Sequence, residues 1–180
     1  MSEPGDRRAV PAPDPAVPAP HPRVLIRPHR IGDMGHVVAR HAVLYHEEYG
    51  FDANFEAEVA RVAADFIQSF DPARDCSRIA EIDGRIAGSA FVLRGSDTVA
   101  KLRLVYLEPW ARGSGLGRQL VEACMAFARD AGYTRMTLAT LDVLLPARQL
   151  YAGLGFKLTV AEPVHAFGRQ MLAETWERDL

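Results

Sequence analysis

Cysteine is nearly absent from this chain: Cys76 and Cys124 stand alone among 180 residues and form no C-x-x-C pair. Cys124 falls on the apolar face of an expected helix. A reactive thiol needs an electropositive, accessible setting and free cysteine otherwise packs like a small hydrophobe, so both are expected to be buried and inert. An excess of charge of one sign is missing as well. With 21 basic residues against 23 acidic ones and a net charge of -2, no basic stripe points to nucleic acid or to an anionic membrane surface. No apolar run approaches the roughly 20 residues that cross a bilayer, and no basic N-terminal region leads into an apolar core. The expectation is a cytoplasmic protein with neither a nucleic-acid nor a membrane partner. His36, His41 and His46 recur at intervals that do not hold one helical face, so no metal is expected.

Proline is present but concentrated. Most of the 12 prolines fall in residues 1–22, mixed with alanine and charge, as in Pro11-Ala12-Pro13-Asp14-Pro15. Such a segment cannot pair or bury its backbone and reads as a disordered or polyproline-like arm. From Arg23 the composition is that of an ordinary domain. At 48% hydrophobic and 24% charged residues the chain supports one core, placing a single domain over 23–180.

Within it, Arg23 to Pro28 suits a first strand. Met34, Val37, Val38, His41, Leu44 and Tyr45 follow the helical period, Tyr49-Gly50-Phe51-Asp52 breaks it, and Phe55, Val59, Val62, Ala63, Phe66 and Ile67 resume it. Ser77 to Ile82 and Arg85 to Leu93 flank Asp83-Gly84, a strong hairpin signal, and Lys101 to Leu107 completes an antiparallel meander. A helix from Leu116 to Gly132 follows, then a strand over Thr134 to Thr140. Asp142 is the expected cap of a further helix with Pro146 in its first turn. Phe156 to Val160 and Phe167 to Leu180 suit two closing strands.

The strand-to-helix passage Leu104 to Arg118 carries the chemistry. Glycines 113, 115 and 117 let successive N–H groups converge on one anion, and the helix that follows adds its unpaired donors and positive dipole end. Gly117-Arg118-Gln119 lacks the Lys-Ser/Thr of a nucleoside-triphosphate loop. Counted from Gly113 and Gly115, the third dinucleotide-fingerprint site would be Arg118, too long for close helix packing. A glycine turn that merely joins strand to helix is the bland alternative.

Arg112-Gly113-Ser114-Gly115-Leu116-Gly117 resembles the Arg/Gln-x-x-Gly-x-Gly/Ala signature of the GNAT superfamily of acyl-CoA-dependent N-acyltransferases. Tyr151-Ala152-Gly153-Leu154-Gly155-Phe156 is similar to that superfamily's Tyr-x-x-x-Gly-Phe element. The expected element order is also its order, so the likeness covers roughly residues 23 to 180. It implies an α/β (α+β) fold, a mixed central sheet of about six to seven strands flanked by about four helices. Leu44-Tyr45-His46-Glu47-Glu48-Tyr49-Gly50, Ala100 to Leu104 and the ending Phe167-Gly168 to Trp176 further resemble the acetyltransferase module fused to MarR-type regulators in bacteria. That branch often reads Trp-Thr-Asn where this chain has Ala139-Thr140-Leu141, so an amide that could meet the donor or acceptor is missing.

The resemblance implies acetyl-CoA as donor, an amine acceptor (small molecule or protein amino group), direct transfer in a ternary complex, and a homodimer. Its pantetheine arm would pair with Val105, Tyr106 and Leu107, and its pyrophosphate would sit on the N–H groups of Arg112, Gly113, Ser114, Gly115, Leu116, Gly117 and Arg118. The Arg118 side chain either adds charge or is simply solvated. Tyr151 aligns with the tyrosine that protonates the leaving thiolate in relatives; its alternative is a core tyrosine. Glu48 is the chosen general base, with Glu47 and Glu108 as other candidates. A non-catalytic acyl-CoA sensor or interaction module is the competing function.

Overall fold

The computed structural model describes residues 22–180. Its elements are β1 (Val24–Arg27), α1 (Asp33–Tyr49), α2 (Ala53–Ser69), β2 (Cys76–Ile82), β3 (Arg85–Arg94), β4 (Val99–Leu107), a 3-10 turn (Pro109–Ala111), α3 (Leu116–Asp130), β5 (Arg135–Leu141), α4 (Leu145–Gly153), β6 (Lys157–Ala166) and β7 (Arg169–Asp179). The strands form one sheet in the order β1-β2-β3-β4-β5-β7-β6, and only β4 and β5 run parallel. This is the mixed sheet with four helices that the sequence predicts. The proline-rich arm lies outside the described residues except for Pro22.

Alternation along the strands divides the core between two faces. Toward α3, Ala80, Ala90, Val92, Ala100 and Leu102 meet Leu116, Leu120, Val121, Cys124 and Ala128. Toward α1 and α2, Ile79, Phe91 and Tyr106 meet Met34, Val37, Leu44, Ala63 and Phe66. Cys76 and Cys124 are both buried and free. The α1 start is locked by charge: Arg27 donates to Asp33 at 2.6 Å and to Glu81 at 2.8 Å, and Asp33 also accepts the Arg30 N–H at 2.6 Å. Burial opposes ionisation of Asp33, yet Arg27 and that N–H hold its carboxyl below the ordinary value.

Two local expectations change. Asp142 does not cap α4, whose first flanking residue is Leu144; its carboxylate instead accepts the Leu172 N–H at 2.9 Å across the sheet end. Phe167 is not in a strand but turns the β6–β7 hairpin with Gly168, at φ 55° and 78°. Two successive positive φ values make the tight hairpin turn whose twist matches the strands, so β6 runs on past Val160 to Ala166.

Candidate active site

β4 and β5 pair only from Val99↔Arg135 to Leu102↔Leu138. Beyond that the two parallel strands part, leaving the edge of Arg103–Leu107 facing the edge of Ala139–Leu141. The parting coincides with a bulge: Phe91 pairs Arg103 while Ser89 pairs Tyr106, so β4 carries one residue more than β3 there. Leu104 takes φ 50°, an uncommon conformation for a side-chain-bearing residue, and its carbonyl accepts the Ser89 hydroxyl at 2.7 Å. Gly88 makes room, because a Cβ there would collide with the Tyr106 carbonyl.

Two cavities open into this parting. The larger, about 320 Å³, lies under α2 and is lined by Phe55, Val59, Val62, Arg103, Leu141 and Phe167 among others. The smaller, about 150 Å³, runs along Val105, Tyr106 and Leu107 toward Arg112 and Gly117. Tyr45, Val105, Leu144, Ala147 and Tyr151 line both.

The smaller cavity leads to the glycine loop. Gly113 and Gly115 have φ 76° and 80°, and a Cβ on either would meet nothing within 4 Å, so the loop's outer side is open. The first backbone bond of α3 runs from Gln119 N–H to the Gly115 carbonyl. Among the described residues, the N–H groups of Gly113, Ser114, Gly115, Leu116, Gly117 and Arg118 have no partner, which makes a run of donors at a helix start suited to a phosphate-bearing ligand. Gly117 has another role: a Cβ there would lie 3.1 Å from the Leu107 side chain, so its bareness lets α3 pack on β4. The Leu116 side chain is core and the Ser114 hydroxyl bonds the Ala111 carbonyl, leaving backbone as their contribution.

Most of the charged candidates are engaged by other protein groups. The Glu48 carboxylate takes both Arg112 guanidinium nitrogens, at 2.6 and 3.0 Å, and Arg112 also donates to the Leu107 carbonyl at 3.3 Å. Glu48 lines the smaller cavity and not the larger one. Glu108 is buried, bound by Arg40 at 2.6 and 2.8 Å, pinning the end of β4 to α1. Arg118 reaches Glu122 and the Gly153 carbonyl.

Tyr151 is buried at the junction of the two cavities. Burial, with Tyr45 nearby, raises its hydroxyl pKa, so the phenol keeps its proton at neutral pH. Two further residues of the α1 stripe that line the larger cavity also gain a chemical setting. Tyr45 stacks on Phe55 at 4.6 Å, and burial raises its hydroxyl pKa too. His41 lines the larger cavity; its Nδ1 lies 2.9 Å from the Val37 carbonyl, which can only accept, so Nδ1 carries the proton and Nε2 presents a lone pair. Burial takes this imidazole down to about 4. The available signal was a histidine in phase with Val37 and Leu44 on a buried stripe.

The Acetyltransferase (GNAT) family matches residues 38–156. An uncharacterized N-acetyltransferase of Schizosaccharomyces pombe is 31% identical over 117 residues, covering 64% of this chain and 71% of that protein. N-acetyltransferase 8B of Homo sapiens is 33% identical over 99 residues, 52% of this chain, and the match spans only 44% of the human protein. Among solved structures, yncA of Salmonella typhimurium, determined with its cofactor acetyl-CoA, matches with a TM-score of 0.69 at 22% identity, over 87% of this chain and 93% of that one.

Proposed function

This chain belongs to the GNAT family of acetyltransferases, and from that premise we propose that it moves an acetyl group from acetyl-CoA to a primary amine by direct transfer in a ternary complex. The observation that supports this most is the continuity of two backbone features: the parted β4 edge over Arg103–Leu107 and the run of free N–H donors over Gly113–Arg118. A long ligand with an amide-bearing arm and a pyrophosphate needs that pairing of a strand edge with an anion nest.

Acetyl-CoA supplies a thioester whose acyl carbon accepts the amine. Around it, Val105, Tyr106 and Leu107 bind the arm through main-chain groups, and the loop from Arg112 to Arg118 binds the pyrophosphate. Glu48 acts through Arg112, holding its guanidinium against the Leu107 carbonyl and bracing the slot. On this reading Glu48 is a positioning residue in place of the general base expected from the sequence, and His41, which lines the larger cavity and keeps Nε2 unprotonated, takes the amine proton. Tyr151 donates its proton to the departing thiolate. The likeness to the module fused to MarR-type regulators supports a bacterial, cytoplasmic homodimer whose domain spans 23–180; no helix among the described residues is long and apolar enough to cross a membrane.

The test is calorimetric titration with acetyl-CoA followed by measurement of free CoA release across a panel of amines. Binding plus amine-dependent release is expected. Tight binding with no release on any amine would replace transfer with an acyl-CoA sensor.

A further inference from the structure

The larger cavity holds one cationic group that nothing in the transfer scheme uses. Arg103 lies on β4 opposite Phe91, on the face covered by α1 and α2, and lines the cavity. Among the described residues it makes no ion pair and no side-chain hydrogen bond, whereas Arg27, Arg40, Arg112 and Arg148 each hold a carboxylate. The one carboxylate on the cavity wall, Glu58, is paired with Arg61. Burial lowers the Arg103 pKa, the direction expected of a partly desolvated guanidinium without a counter-ion. Most of the remaining wall is apolar, from Phe55, Val59, Val62, Leu141, Val164 and Phe167.

Resting on the transfer reading, we propose that the acceptor is a free amino acid with an apolar side chain, and that the Arg103 guanidinium receives its carboxylate. A guanidinium presents a planar fork that matches a carboxylate with two parallel hydrogen bonds. Its partial removal from water makes such a partner count for more than at the surface. A space of about 320 Å³ suits a small molecule. The apolar wall takes the side chain, the fork takes the carboxylate, and the amine is left directed to the junction lined by Val105 and Tyr151.

The experiment compares leucine and phenylalanine with their amides and with the matching decarboxylated amines, in wild type and in Arg103→Met and Arg103→Lys. Circular dichroism and acetyl-CoA affinity serve as controls on the fold and the donor site. Wild type should favour the amino acids in kcat/KM by about tenfold or more; Arg103→Met should erase that preference with acetyl-CoA affinity unchanged, and Arg103→Lys should restore part of it. Calorimetry should show Arg103-dependent binding of leucine even without donor. Equal or better use of the amides and plain amines by wild type would overturn the proposal, a comparison that needs no folded variant. Arg103-dependent leucine binding with no CoA release from any amine would uphold the carboxylate site while refuting transfer. CoA release without carboxylate preference would refute the site alone.

Discussion

Acidification from pH 6.5 to 4 should weaken this fold through His41. The imidazole is 3% exposed and lies between Tyr45 and Tyr106, with ring centroids at 5.7 and 4.8 Å. Its Nδ1–H is spent on the Val37 carbonyl. Desolvation lowers its pKa from 6.5 to about 4. In the unfolded chain the same ring takes up a proton near 6.5, so between these values the unfolded state binds more protons and stability falls as pH falls. At about 1.4 kcal/mol per pH unit the window is worth roughly 3 kcal/mol. Urea unfolding of wild type and His41→Phe at steps from pH 7 to 4 isolates the residue, since acid-sensitive pairs such as Arg27–Asp33 are common to both and cancel in the difference. Asp33, with its lowered pKa, loses its contribution only as pH drops below 3.8 toward its folded value. The wild-type stability should drop by the stated amount relative to the variant. Parallel pH dependences would refute the reasoning, showing that water reaches the ring in the folded state.

Tyr151→Phe should lower kcat by about 100-fold while leaving acetyl-CoA affinity nearly unchanged, as expected for loss of a proton donor; stopped-flow turnover and calorimetry separate the two, and unchanged kcat would remove the hydroxyl from the mechanism. Gly115→Val forces a branched side chain onto φ 80° at the loop's centre, and should weaken acetyl-CoA binding by about tenfold or more while costing about 1–2 kcal/mol of stability. Undiminished affinity would contradict the placement of the pyrophosphate. Glu108→Ala strips the buried partner from Arg40, whose side chain is 31% exposed, so a loss of about 2 kcal/mol is expected after allowing for solvent around the guanidinium, read as a lower urea midpoint. No shift in midpoint would mean that the pair contributes little beyond its desolvation cost.

Local pattern was enough for much of this molecule. Helical spacing from Met34 to Tyr45 and from Leu116 to Ala131 and the Asp83-Gly84 turn are consequences of nearest-neighbour geometry, so the element order could be read directly. The glycine loop was equally legible, because backbone conformation and helix-start donors are local properties. Asp142 and Phe167 were misplaced for the complementary reason: the Asp142 carboxylate is taken by the distant Leu172 N–H, and the position of Phe167 follows from the register of β6 on β7.

The cavities belong wholly to the tertiary structure. They exist because β4 and β5, separated in sequence by α3, stop pairing after Leu102 and Leu138, and no window of residues reports where two strands part. The same distance in sequence hid the pairing of Glu48 with Arg112 and of Arg40 with Glu108. The sequence by itself determined the glycine loop and its run of helix-start N–H donors, since these are made by consecutive residues. Only the fold decided what lines the larger cavity, where His41, Tyr45, Arg103 and Tyr151 converge from α1, β4 and α4, because burial, lone-pair direction and missing counter-ions are properties of neighbours brought together in space.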